Sequence, residues 1–284
     1  MMHPAPAPAK RVLIVDDEEL IRELLRRALS EAGYQVEQAA DGAEGLQILK
    51  ANYFDVVLLD IWMPRMNGLE VLASLHELPS PPRVIVMTAD HTPETLLNAI
   101  REEAYLYIGK PFAPSALVDL VGKALAAPGQ TPPIQVLSAK SDWVELLVPC
   151  EANVVDRIQS FLMGMKGDLP EATRDTVGQA FRELLLNAIE WGGKLDPNRK
   201  VHIAYLRTKR MILYRIADPG SGFRFDQLTH AAINNPDGKS LQHMEVREQK
   251  GLRPGGFGIL LTRALVDELL YNQAQNEVVF IKYL

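Results

Sequence analysis

Apolar positions in the first 126 residues fall into short continuous runs separated by amphipathic stretches. Residues 11–15, 55–60, 83–87 and 106–108 are nearly all apolar, which predicts strands buried on both faces: the first, third, fourth and fifth of one sheet. Between them, residues 18–31, 42–50, 69–78 and 93–101 repeat apolar positions at helical spacing. This alternation predicts an α/β, flavodoxin-like, doubly wound parallel sheet with helices on both faces.

The rhythm changes after residues 126–133, where three prolines and a glycine fall within eight residues and suit an exposed linker. Beyond it, residues 143–148 predict a strand, 153–165 and 170–191 two helices, and 201–206 with 211–217 a hairpin. A glycine-rich charged segment at 219–258, a helix running through Leu270 and a final strand near 278–282 complete an α+β two-layer sandwich. The expected organisation is a disordered tail at 1–9, one domain at 10–126, a linker at 127–134 and a second domain at 135–284.

Composition narrows the classes. With 47% apolar and 23% charged residues, a disordered or collagenous chain is excluded, and a single cysteine excludes an internal disulfide. The start lacks the apolar core of a signal peptide and no stretch of eighteen apolar residues follows, so a cytosolic protein without membrane contact is expected. Of 30 Lys+Arg and 36 Asp+Glu, residues 1–127 hold 11 and 18, a balance of −7, leaving 19 and 18, or +1, for the rest. Neither half has the basic face of a nucleic-acid binder.

Strand ends of an open parallel sheet converge on one crevice. Here they carry Asp16 and Asp17, Asp60, Thr88, and Lys110. Three carboxylates brought together repel unless a hard cation such as Mg²⁺ compensates. A carboxylate so placed, with a lysine and a hydroxyl beside it, can accept a phosphoryl group, and Asp60 is the candidate nucleophile. This pattern resembles the response-regulator receiver family across about residues 10–125. The resemblance implies that Asp17 binds Mg²⁺ directly, Asp16 assists through water and the Trp62 carbonyl adds a ligand. It implies that Asp60 is phosphorylated by a cognate sensor histidine kinase, while Thr88 and Tyr107 reorient as the switch. Met63-Pro64 and Asn67-Gly68 match the family's loop; Gly109, where an apolar residue is commoner, is expected to loosen the switch.

In the second half, Glu183 and Asn187 stand four apart on an otherwise apolar helix, hence on one face. An amide oxygen can ligate Mg²⁺ and a carboxylate one turn away can deprotonate a hydroxyl. Downstream, Asp218 with Gly220 and Gly222 offers an acceptor for an exocyclic amine beside yielding backbone, and Gly256 and Gly258 open a helix whose free amides suit phosphate. No P-loop motif occurs. These segments resemble the ATPase superfamily of histidine kinases, gyrase and the Hsp90 chaperone, over about residues 140–284. The resemblance implies that Glu183 is the general base, Asn187 the Mg²⁺ ligand, Asp218 the adenine-recognising aspartate, and the four glycines neighbours of the nucleotide. It makes residues 224–255 a mobile lid, in which Lys250 and Arg253 either reach the γ-phosphate or are exposed loop cations.

Within that superfamily the chain is most similar to anti-sigma-factor serine kinases, with Trp191 where a histidine is commoner. None of the six histidines lies in a helical hairpin of the kind that presents a phosphoacceptor, so the phosphorylated group is expected on another protein. The expected function is a response regulator whose Asp60 phosphorylation controls an ATP-dependent serine/threonine protein kinase acting on an anti-sigma antagonist or a sigma factor. The alternatives are a non-catalytic ATP-binding partner module and a histidine kinase acting in trans. Residues 153–165 either pair with a second copy, giving a homodimer, or cover the domain's own sheet. Cys150, Met163 and Met165 read as structural.

Overall fold

The computed structural model describes residues 9–127, 132–140, 142–165, 169–224, 232, 241–249 and 256–284. The tail, the centre of the linker, and most of the lid with Lys250 and Arg253 lie outside them. The chain divides into two compact units, residues 1–131 and 132–284.

The first unit is a parallel sheet in the order β2-β1-β3-β4-β5, with β1 Arg11–Val15, β2 Gln35–Ala39, β3 Val56–Asp60, β4 Arg83–Thr88 and β5 Leu106–Gly109. Five helices connect and follow the strands: α1 Glu19–Glu31, α2 Gly42–Ala51, α3 Gly68–Leu75, α4 Pro93–Arg101 and α5 Pro114–Ala126. Position in the sheet explains composition: central β3 is buried along its whole length, whereas edge strand β2 alternates, with Gln35 and Glu37 exposed. Val12, Ile14, Val56, Leu58 and Ile85 pack against Leu25 and Leu29 of α1 and Leu117 and Val121 of α5. Each such side chain contributes about 1.5–3 kcal/mol by leaving water. Helix starts are set locally: Asp41 caps α2, Asn67 and Glu70 form a capping box on α3, and Thr92 with Pro93 opens α4.

The second unit is an antiparallel sheet in the order β10-β11-β9-β8-β7-β6. Its elements are β6 Gln135–Ala139, β7 Trp143–Pro149, α6 Val154–Gly164, α7 Glu171–Asn187, β8 Lys200–Arg207, β9 Met211–Ala217, α8 Gln242–Gln249, α9 Gly258–Leu265, β10 Glu268–Tyr271 and β11 Glu277–Tyr283. Tyr205, Tyr214 and Phe280 stand opposite one another on β8, β9 and β11, and Tyr214 lies 4.9 Å from the Tyr205 ring and 5.0 Å from that of Phe280. Phe181 of α7 lands on Tyr214 with ring centroids 4.9 Å apart, which seats that helix on the sheet. The apolar face of α6, from Val154 to Leu162, is buried within this unit, so its own domain covers it.

One expectation is corrected. The helix through Leu270 ends at Leu265: Val266 is extended, and residues 268–271 form β10 against β11. Asp267 fixes the turn by accepting from the Tyr283 amide at 2.6 Å and from Lys282 Nζ at 3.0 Å. The run 266–271 is apolar enough for either element, and pairing with β11 decides it.

Candidate functional site

In the first unit, β1, β3 and β5 deliver their polar ends to one crevice. Asp16, Asp17 and Asp60 each offer a carboxylate oxygen, all within 4.8 Å of one another. Lys110 Nζ donates to Asp16 Oδ2 at 2.8 Å and Asp60 Oδ2 at 2.9 Å, with Glu18 at 3.6 Å. Asp16 and Asp60 are buried and Asp17 is exposed. Burial pushes the Asp60 carboxyl above its ordinary range; Lys110 opposes this and the Asp16 charge adds to it. Lys110 itself is held above its ordinary value because, although burial lowers it, its bonds to both aspartates outweigh that effect. The crevice is therefore short of positive charge, and an all-oxygen donor set of this kind fits a hard divalent cation.

The expected switch positions, Thr88 and Tyr107, are held by residues that sequence reasoning passed over. Buried Thr88 accepts from the Asp90 amide at 3.1 Å, and its carbonyl accepts from the Lys110 amide at 2.9 Å. Asp90 also accepts from the Trp62 indole at 3.2 Å and the Thr95 hydroxyl at 2.7 Å, tying the loop after β3 to the loop after β4. Tyr107 is buried and shares a 2.6 Å hydrogen bond with His91 Nδ1; burial pushes its phenol well above the ordinary range. Gly109 makes this contact fit: a Cβ there would stand 2.5 Å from His91 Cε1 and 2.9 Å from the Tyr107 hydroxyl. The glycine thus leaves room for the His91–Tyr107 hydrogen bond.

In the second unit a cavity of about 890 Å³ is lined by Glu183, Asn187, Trp191, Asp218 and the glycines at 220, 222, 256 and 258. Half-buried Glu183 and Asn187 face the first turn of α9: a Cβ on Gly258 would lie 2.6 Å from Glu183 Oε2 and 3.5 Å from Asn187 Nδ2. The N-terminus of α9 thereby opens onto both, where its free amides and dipole favour an anion. At the other side, Asp218 Oδ1 accepts from the Gly220 amide at 2.7 Å. Burial raises the Asp218 carboxyl above its ordinary range, against the Gly220 bond and the Arg199 charge. Gly222 adopts φ 83° where the loop crosses the carbonyl of Ala274. After α7 the helix widens into a π turn, residues 188–192, which carries Trp191 and Gly192 to the wall beside Asp218.

The two units define a signalling class: an aspartate crevice on a doubly wound sheet, followed by a nucleotide-type cavity on an α+β sandwich. Family models agree, with the response regulator receiver domain matching residues 12–122 and the histidine kinase-like ATPase domain matching residues 149–282. The chain thus carries a receiver domain followed by a histidine kinase-like ATPase domain. The response regulator MprA of Mycobacterium sp. (strain KMS) is 39% identical over 123 residues, 43% of this chain and 52% of that protein. The MprA of Mycolicibacterium vanbaalenii is 38% identical over the same shares. The chain spans about half the length of these curated relatives. A CheY-like receiver domain protein from Methanospirillum hungatei JF-1 is 34% identical, covering 41% of this chain and 94% of that one, with a TM-score of 0.40.

Proposed function

We propose that the chain is a response regulator whose output is an ATP-dependent serine/threonine protein kinase of the anti-sigma-factor type. The observation that carries this reading is the placement of Glu183 beside Asn187 and the α9 N-terminus in the cavity that also holds Asp218. A base, a neutral oxygen ligand, anion-binding amides and an acceptor for an exocyclic amine then line one space of nucleotide size.

In that reading Asp218 accepts from the adenine amino group and the α9 amides receive the phosphates. Glu183 takes the proton of the substrate hydroxyl as its oxygen attacks the γ-phosphorus, while the bond to the departing ADP oxygen breaks. Asn187 here, and Asp16, Asp17, Asp60 and the Trp62 carbonyl in the receiver, would hold Mg²⁺, which when bound would neutralise phosphate charge. In the receiver, an Asp60 oxygen attacks the phosphorus of a phosphohistidine on a sensor kinase. The phosphorus–nitrogen bond breaks towards the imidazole, and Lys110 stabilises the charge that builds on the transferred oxygens. Residues 123–148 hold the end of α5, β6 and β7, and their described part has no helical hairpin to present a histidine, which supports a substrate on another protein such as an anti-sigma antagonist. No helix among the described residues is long and apolar enough to cross a membrane.

Incubation with Mg-ATP and candidate antagonists tests the reading. An acid-stable label on a serine or threonine, lost with Glu183→Ala, is expected. An acid-labile label identifies a histidine kinase acting in trans. ATP binding with no labelled partner identifies a non-catalytic module; either outcome overturns the serine kinase.

A further inference from the structure

The loop that carries Asp218 is held by side chains from elements remote in sequence. Pro219 and Gly220, the two residues after the aspartate, each have a carbonyl taken by a side chain. Arg199, just before β8, donates from a guanidinium nitrogen to the Pro219 oxygen at 2.5 Å. Asn276, just before β11, donates from Nδ2 to the Gly220 oxygen at 3.0 Å. Asn276 is itself braced, because Asn272 donates to its Oδ1 at 2.8 Å and accepts from its amide at 3.1 Å. Its carbonyl accepts from the Asp218 amide at 2.8 Å, so one residue grips the loop on both sides of the aspartate. Beneath, Gly192 of the π turn lies flat against the Asp218 carboxylate, where any side chain would collide with it.

These contacts determine which oxygen of Asp218 is used. Fixing the peptides after Pro219 and Gly220 aims the Gly220 amide at Oδ1, which that amide occupies at 2.7 Å. The carboxylate then has a defined orientation and one oxygen free to accept from a donor in the cavity. We propose that Arg199 and Asn276, which also line the cavity, are positioning residues for base recognition: they act by holding Asp218 in the rotamer that selects an exocyclic amine over a carbonyl oxygen. The claim rests on the reading of Asp218 as the adenine acceptor. Without the clamp the carboxylate turns freely, and it loses preference for an amine before the cavity loses its affinity for phosphates, which the α9 terminus receives separately.

The test is calorimetric binding of Mg-ADP and Mg-GDP to the full chain, to Asn276→Asp, which places an acceptor against the Gly220 carbonyl, to Arg199→Ala, to Asn272→Ala and to Asp218→Asn. Thermal unfolding serves as the folding control. Asn276→Asp is expected to weaken ADP about tenfold, the scale of losing one hydrogen bond and leaving its acceptor unpaired. Arg199→Ala and Asn272→Ala are expected to weaken ADP about threefold to fivefold, a fraction of one hydrogen bond each. GDP should change little, so the ADP/GDP ratio falls in all three. If Asn276→Asp does not fold, the other two variants decide. Wild type that binds ADP and loses it with Asp218→Asn, while the clamp variants keep the wild-type ratio or lose ADP and GDP in equal proportion, overturns the clamp. Wild type without ADP affinity, or Asp218→Asn binding normally, overturns instead the reading on which it rests.

Discussion

The receiver crevice gathers three carboxylates around a single lysine, whereas the ATPase cavity is walled largely by glycine backbone, with the half-buried carboxylates of Glu183 and Asp218 set apart on its sides. The difference follows from what each must hold. A site that becomes phosphorylated begins with an excess of its own negative charge and relies on a cation to tolerate more. In the proposed reading, a site that receives a finished polyanion offers amides and helix dipole and keeps Asp218 for the nucleobase and Glu183 for the attacking hydroxyl. Part of the acidity of the first 127 residues has the same root: of their 18 acidic residues, Asp16, Asp17 and Asp60 belong to the crevice, and Glu18 and Glu19 sit at the start of α1 beside it.

Breaking either half of the contrast should give effects of graded size. Asp60→Asn should abolish modification by a small acyl phosphodonor, read by intact mass; a modified variant would place the acceptor elsewhere. Glu183→Gln should slow phosphate transfer by about 10²–10⁴-fold, the usual share of a general base, with ADP affinity retained. Phe181→Ala should destabilise the second unit by about 3–5 kcal/mol in denaturant titration, because it unseats α7 from Tyr214 and so disperses Glu183 and Asn187 together. Gly109→Val should drive His91 off Tyr107, visible as a changed Tyr107 ring resonance by NMR, and alter the phosphodonor reaction by a few-fold, the scale of one hydrogen bond.

The smallest effect concerns pH. Asp267 is held below its ordinary value, first by the Tyr283 amide and then by Lys282 against the cost of burial. A depressed carboxyl contributes stability that is present above its unfolded value, near the model-peptide range of about 4, and lost as pH falls through the folded value. Asp267→Asn should therefore lower the second unit's stability slightly at neutral pH and flatten the acid limb of its unfolding curve, the difference from wild type disappearing at low pH.

Much of the first unit was legible because a parallel sheet writes its central strands as unbroken apolar runs, as β3 does. Edge strand β2 was not, since Gln35 and Glu37 face water and only one side of it is packed. Strand β6, the edge of the second sheet, escaped notice for the same reason, and β10 read as helix until β11 was there to pair with it. In the sites, residues whose chemistry is carried by type were visible: aspartates at strand ends, Glu183 and Asn187 one helical turn apart. His91, Arg199 and Asn276 were not, because each acts by reaching a partner 16, 20 or 56 residues away, a relation that no local pattern encodes. The contact of Gly109 with His91 was hidden for that reason too.

In the proposed function the receiver governs the kinase. The most direct test of that control is the initial rate of phosphate transfer from Mg-ATP to the antagonist, measured with the full chain before and after treatment with an acyl phosphodonor, and in parallel with Asp60→Asn. Treatment is expected to change the rate in wild type and to leave it constant in the variant. Equal rates in treated and untreated wild type, with Asp60 phosphorylation verified by mass, would contradict it.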